Sequence, residues 1–485
     1  MQESIFIGRK RELQELSRFL KKRSASLIVV QGRRRIGKSR LIREFSKNMQ
    51  TLTFSGIPPT EKTTSKDQLF EFGWQLGKAL GTSPFKEDDW NDLFLRLAHH
   101  TREGRVIIVL DEISWMGSKD HNFLGKLKNA WDLHFKNNPE LILIICGSAS
   151  AWIEKNILSN AGFLGRISFT LTLEELPLNE CQQFWAARNS HLSTYEKFKI
   201  LSVTGGVPLY LEEIDFQKPA EENIKDLCFK KGGLLVREFE QIFSDLFSRR
   251  SNQYKSIVQC LADGPLEYRD ISKKLGVSTS GLLSEYLFDL TKSGFVSRDY
   301  TWHLNSGKPS PVSHYRLKDN YLRFYLKYID PNLSEIEKNS YIIKSMSSLP
   351  GWSTILGFQF ENLVLNNREF IQKKLNLRPE NIVSENPFFQ HATKRQPGCQ
   401  IDYLIQTRFN TLFACEIKFS RQEIKAEIIQ EMERKLDNLT KPRGFSCFPT
   451  LIHVNGVHDS VIDSNYFSEI IDFCQIMEDR YRLII

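Results

Sequence analysis

Eight consecutive residues, Gly32-Arg33-Arg34-Arg35-Ile36-Gly37-Lys38-Ser39, fit the pattern GxxxxGK[ST]. The chemistry this spacing serves is the holding of a phosphate chain. The glycines let the backbone wrap close to an anion and present its N–H groups as donors. A helix opening near Lys38 aims the positive end of its dipole at the same point. Lys38 is then expected to reach the β- and γ-phosphates, Ser39 to bind Mg²⁺, and Arg40 to lie within the same nucleotide-binding segment. A second pair, Asp111-Glu112, ends the apolar run Val106–Leu110. Carboxylates at the end of such a strand stand where ligands bind in open α/β sheets. Asp111 is expected to orient Mg²⁺ and Glu112 to polarise the attacking water. ATP and Mg²⁺ are therefore the expected cofactors, with hydrolysis favoured over binding alone.

The elements needed to position these groups can be read nearby. Leu27–Val30, Val106–Leu110 and Leu141–Cys146 are apolar runs of strand length, and Leu52–Ser55 is a candidate second strand. Strands apolar on both faces imply a buried parallel sheet flanked by helices, an α/β doubly wound domain. Amphipathic helices are expected near Gln68–Leu80 and Asp88–His99. Gly147-Ser148 follows the last run, so Ser148 is a candidate γ-phosphate sensor. Arg166, in Leu164-Gly165-Arg166, is a candidate for transition-state charge. Gly205-Gly206-Val207-Pro208 is a candidate turn near the adenine.

The N-terminal Phe6-Ile7-Gly8-Arg9-Lys10-Arg11-Glu12-Leu13 resembles the opening box of the archaeal-type ATPases in the STAND branch of P-loop NTPases. The loop, the acid pair, the GS strand end, LGR and GGVP follow in that family's order over roughly residues 1 to 240. The resemblance implies that Gly8 and Arg9 lie near base and ribose, Ser148 senses the phosphate, Arg166 faces the phosphates, and Arg33, Arg34 and Arg35 add positive potential. From about Ser190 to Glu240 the pattern becomes helical, the expected lid after the core.

Downstream, Tyr254–Ala262, Tyr268–Leu275 and Thr279–Ser293 read as three helices, with Phe295-Val296 starting a strand, a winged helix-turn-helix pattern. The third helix offers Ser278, Thr279, Ser280, Ser284 and Lys292 beside acidic Glu285 and Asp289, a poor set for reading bases. Intramolecular or protein docking is the favoured role. Ser306–Ser313 is expected to be a loop, and Leu317–Ile329 a helix. Tyr315 through Tyr325 resembles the segment after the winged helix in the same family.

The last part contains Asp402 on an expected strand Gln400–Gln406, and Glu416 with Lys418 on an expected strand Leu412–Phe419. Alternation puts Glu416 and Lys418 on one face. Two acids and a lysine suit Mg²⁺-assisted phosphodiester cleavage. Glu361, on an expected helix upstream, is a further metal-ligand candidate. Gln430, on an expected helix Arg421–Leu439, is a weaker one. The arrangement resembles the PD-(D/E)xK nucleases over roughly residues 357 to 455. There Asp402, Glu416 and Lys418 match the metal and water-activating positions, with Ile401 where the proline would stand.

Length bounds the organisation. The 485 residues are too many for one core. Expected are a P-loop core over 1–180, a helical lid over 181–248, a winged helix with its following helix over 249–330, and a restriction-endonuclease-like domain over 331–485. The formal charge of +8 suits a DNA partner without requiring one. A protein partner or a homo-oligomer is also open. Eight scattered cysteines lack a CxxC pair, which argues against zinc and for reduced thiols. No run approaches the about 20 apolar residues of a membrane span, so no membrane partner is expected, and the cytoplasm is the expected location. Two alternatives stand beside a nuclease-coupled ATPase: a signalling or scaffolding ATPase whose C-terminal domain only binds, and a DNA-binding regulator using the winged helix.

Overall fold

The computed structural model describes residues 5–148, 150–247, 250–277, 281–394 and 396–478. The chain divides into two compact units, one built on the residues up to Glu175 with Lys292–Gly294, the other on Leu176–Thr291 and the residues from Phe295 onward.

The first unit is organised by five parallel strands, β1 (Ser26–Gln31), β2 (Gln50–Ser55), β3 (Val106–Asp111), β4 (Ile142–Gly147) and β5 (Ile167–Thr172), in the spatial order β2-β3-β4-β1-β5. The period of two sorts side chains into two cores. Leu27 and Val29 join Ile108, Leu110, Leu143 and Ile145 on one face. Ile28 and Val30 join Ile107, Val109, Ile144 and Cys146 on the other. That is why β1, β3 and β4 read as unbroken apolar runs. Because β4 lies between β3 and β1, the loop after β1, the acids ending β3 and Ser148 after β4 share one sheet edge.

Several local expectations are adjusted. The helix expected from Asp88 begins at Trp90, because the Asp89 carboxylate caps it by accepting from the Asn91 N–H. β5 runs Ile-Ser-Phe-Thr-Leu-Thr, and only Leu171 is buried. Such a half-exposed edge strand lacks an apolar run to announce it.

The second unit begins with helices Leu178–Ala186, Thr194–Thr204, Pro208–Glu212, Ala220–Cys228 and Leu234–Phe247. Helices Ser251–Leu261, Tyr268–Leu275 and Gly281–Lys292 follow, with strands β6 (Leu266–Glu267), β7 (Val296–Trp302) and β8 (Pro309–Leu317) forming an antiparallel sheet in the order β6-β8-β7. The expected loop Ser306–Ser313 therefore lies largely in a strand. Pro309 opens β8, a position where its missing N–H breaks no interior pairing. The expected helix from Leu317 starts at Asn320, capped by Asp319, whose carboxylate accepts from the Leu322 N–H.

The C-terminal sheet comprises β9 (Ile382–Gln390), β10 (Cys399–Thr407), β11 (Thr411–Lys418), β12 (Ser446–His453) and β13 (Glu469–Asp472), in the order β13-β12-β11-β10-β9. The β9, β10 and β11 pairs are antiparallel, and those of β11, β12 and β13 parallel. Helix Trp352–Leu365 precedes the sheet and helix Glu427–Asn438 connects β11 to β12. That second helix is shorter than the expected Arg421–Leu439. The β7–β8 hairpin is docked on this sheet. Trp302 and Leu304 belong to the same core as Ile401, Leu404 and Leu412, and Trp302 Nε1–H donates to Gln406 Oε1 at 2.6 Å.

Candidate functional site

Backbone conformation comes first at the loop after β1. Gly32 has φ +148°, and a Cβ there would fall 2.4 Å from the Leu173 carbonyl oxygen. Gly37, at φ 91°, turns the chain into helix Lys38–Ser46. The first turn of that helix leaves N–H groups without intrahelical partners, the usual donors to an anion. Lys38 is only 6% exposed, and its ammonium donates to the carbonyls of Gly32 and Arg33, each at 2.9 Å. The lysine is thus curled against its own loop. Burial lowers its pKa from the ordinary lysine value. Arg33 pairs with Glu175 at 3.2 Å, Arg34 and Arg35 are half-buried, and Arg40 donates to the Ile5 carbonyl at 2.9 Å.

Ser39 Oγ–H donates to Asp111 Oδ2 at 2.8 Å. The two oxygens expected at Mg²⁺ are therefore adjacent. Glu112 sits in the left-handed region at φ 48°, and its carboxylate accepts from Ser148 Oγ–H at 3.0 and 3.2 Å and from the Ser148 N–H at 3.3 Å. Order along the sheet edge, rather than sequence distance, brings these residues together.

Arg9 and Arg166 stand differently from expectation. Gly8 and Arg9 both have positive φ, but the Arg9 side chain is buried and donates to the carbonyls of Ile36 (3.1 Å) and Glu174 (2.5 Å), while pairing with Glu12 at 2.8 Å. Here Arg9 braces the loop from behind. The Arg166 guanidinium grips Asp132 through Nε (2.9 Å) and Nη2 (2.8 Å), and Lys128 adds a contact at 3.0 Å. That Arg166 hydrogen bond, foremost, holds the Asp132 carboxyl well below the usual carboxylate range. Asp132 gave no sequence signal, because its relation to Arg166 spans 34 positions. Pro208 opens a short helix in the second unit, Pro208–Glu212.

In the C-terminal unit the expected trio does converge. Tyr403 pairs with Cys415, so Asp402 and Glu416 are the next residues facing across the β10–β11 ladder. Asp402 Oδ2 accepts the Ile417 N–H at 3.0 Å. Lys418 Nζ lies 2.8 Å from Glu416 Oε1 and 2.9 Å from Glu431 Oε1. Two participants were not foreseen. Lys435 Nζ contacts Glu416 Oε2 at 2.5 Å and Asp402 Oδ1 at 3.4 Å, and Glu431 shares its helix face. The i, i+4 spacing of Glu431 and Lys435 was the available signal. Gln430 is exposed on the same helix.

Burial, then the Asp402 charge, raises the pKa of both Glu361 and Glu416. For Lys418, burial alone would lower the pKa, but the Glu416 charge and the hydrogen bonds to Glu416 and Glu431 together outweigh it, and the net shift is upward. Among the described residues, no group of three or more His, Cys, Asp and Glu side chains is arranged to hold a metal ion. As it stands, the set Glu361, Asp402 and Glu416 does not fit one, since an ammonium takes the place between two of the three.

The third helix of the middle segment contributes little surface chemistry. Ser278, Thr279 and Ser280 lie outside the described residues. Asp289, expected on the exposed face, is buried and accepts the Tyr254 hydroxyl at 2.6 Å.

Residues 6–214 match the family described as an ATPase domain predominantly from Archaea. The chain carries an archaeal-type ATPase domain. An uncharacterized protein of Methanocaldococcus jannaschii is 25% identical over 446 residues, covering 90% of this chain and 92% of that one. Among solved structures, the Walker-type ATPase of Pyrococcus abyssi is similar with 18% identity and a TM-score of 0.48, over 66% of this chain and 96% of that one. The ORC2 protein of Aeropyrum pernix, solved as ADPNP–ADP complexes, is similar with 14% identity and a TM-score of 0.41, over 70% of this chain and 97% of that one. Among the described residues, no helix is long and apolar enough to cross a membrane.

Proposed function

We propose that the protein is an ATP-binding and ATP-hydrolysing switch coupled to a C-terminal nuclease-like domain that acts on DNA. The observation that carries the ATPase half is the Ser39–Asp111 contact at 2.8 Å beside the Glu112–Ser148 contact, at the mouth of the loop that holds Lys38. Ser39 and Asp111 fit a Mg²⁺ ion, and that ion would neutralise phosphate charge when bound with ATP. Lys38 would leave its two loop carbonyls for the phosphates. Glu112 would orient the attacking water, with Ser148 fixing its carboxylate. The STAND assignment belongs to this reading and rests on the order of the sequence boxes.

The nuclease half is supported by the convergence of Asp402, Glu416 and Lys418 on neighbouring strands, between helices Trp352–Leu365 and Glu427–Asn438. The middle segment reads as a winged helix whose hairpin is committed to docking, in keeping with the Trp302–Gln406 contact. A DNA partner is in keeping with the net charge of +8.

The experiment is cleavage of plasmid DNA with Mg²⁺ under ATP, ADP and nucleotide-free conditions, comparing intact protein with Lys418→Ala. The reading expects nicking by the intact protein and none by the variant. Equal cutting by both, or none by either, ends the nuclease half. The scaffolding alternative is favoured by the Lys435 ammonium seated between Asp402 and Glu416, and it expects nucleotide-dependent assembly without strand scission.

A further inference from the structure

We propose that Lys435 is the resident cation of the C-terminal acidic site, and that its ammonium keeps Asp402 and Glu416 closed to a divalent ion until it is displaced. The inference rests on the reading of Asp402 and Glu416 as a nuclease-like pair, and it concerns how that pair is regulated.

The argument begins with charge. Glu416 is 1% exposed, and Asp402 is held beside it by the ladder and by the Ile417 N–H. Two carboxylates in such a place are costly unless a cation accompanies them. Lys418 reaches only Glu416 Oε1 and Glu431. Among the described residues, Lys435 alone contacts both Glu416 Oε2 and Asp402 Oδ1. It therefore bridges the two acids that are the candidate metal ligands.

That position is fixed by the fold. Helix Glu427–Asn438 packs Ile428 and Met432 into the core that contains Ile401 and Leu404. The Lys435 carbonyl also accepts the Cys399 Sγ–H at 3.2 Å, tying the helix end to β10. The backbone of Lys435 is thereby fixed, while its ammonium is held by its carboxylate partners. A divalent ion can enter only as the ammonium swings out. Without Lys435, the Lys418 ammonium would serve Glu416 and Glu431, and Asp402 would lose its ammonium contact. Hard carboxylate oxygens in that state favour a divalent cation.

The test is calorimetric titration of nucleotide-free full-length protein with MnCl₂ alone. The proteins are wild type, Lys435→Met, Lys435→Gln, Lys435→Arg and the double variant Lys435→Met/Asp402→Asn, each checked for folding by circular dichroism. Lys435→Met and Lys435→Gln are expected to bind Mn²⁺ about tenfold or more tighter than wild type. Lys435→Arg keeps the charge and should match wild type, and the double variant should lose the gain. Unchanged affinity in whichever neutral variant folds, or a gain that survives Asp402→Asn, overturns the proposal. A neutral variant that gains Mn²⁺ but never cuts DNA upholds it while ending the nuclease reading. A wild type that cuts DNA beside neutral variants without gain does the reverse.

Discussion

Glu112 is clasped by Ser148: the hydroxyl donates to both carboxylate oxygens, at 3.0 and 3.2 Å, and the backbone N–H donates at 3.3 Å. The acid that would orient water is therefore aimed by the residue after β4. Glu112→Gln should lower the ATP turnover rate by about 100- to 10,000-fold, the span of general-base removal, with ATP binding retained. Ser148→Ala should lower kcat by roughly tenfold through lost aim, leaving KM nearly unchanged. Phosphate-release kinetics read both. Ser148→Ala turnover equal to wild type would show that the clasp plays no part in the reaction.

Lys38 has two states to choose between, its loop carbonyls or a phosphate. Lys38→Met should weaken ATP binding by roughly 10- to 150-fold, the weight of one charged hydrogen bond. Calorimetry with ATP and Mg²⁺ measures it. Because the wild-type ammonium must leave the Gly32 and Arg33 carbonyls, the loop should also change its amide protection on binding.

Arg166 is occupied by Asp132, so any service at the phosphates requires that pair to open. Arg166→Ala should slow hydrolysis by about 100-fold, the scale of one lost transition-state donor. Asp132→Asn should raise it by about two- to fivefold, since exposed ion pairs are weak. If Asp132→Asn slows turnover as much as Arg166→Ala does, the pair is a structural brace and Arg166 has no role at the phosphates.

Asp299 and Arg316 form a buried pair at 2.8 Å, with side chains 2% and 6% exposed. Asp299→Ala strands the arginine and should cost about 3–5 kcal/mol in urea or thermal unfolding. For Asp299, burial alone would raise the pKa, but the Arg316 charge, together with the hydrogen bonds from Arg316 and Ser297, outweighs it and lowers the value below its ordinary 3.8. A depressed carboxylate contributes stability that is present above 3.8 and fades as the pH falls through the lower folded value. Asp299→Asn should flatten the stability curve in that acid window and leave its slope near neutrality unchanged.

What the sequence made legible follows the range of the forces involved. The P-loop, the acid pair and β1, β3 and β4 announce themselves through contiguous residues, because burial on two faces writes an unbroken apolar run. β5 did not, since five of its six residues keep some exposure. The first half of β8 reads as a loop because Pro309 and Pro311 interrupt the strand pattern there. Asp132 acts on a partner 34 positions away, and Lys435 shows only its i, i+4 relation to Glu431, which does not point to Asp402 or Glu416. For Asp289, only the fold brings the Tyr254 hydroxyl, 35 positions away, onto it.

The Trp302–Gln406 contact has a further consequence for how this molecule can be taken apart. The tip of the hairpin is upholstery for the last sheet, so a scissor cut near residue 330 would bare indole and leucine from one fragment and their sockets from the other. Pieces made that way should clump rather than behave as independent modules. The middle segment's affinity for duplex is therefore a question to ask of the uncut polypeptide.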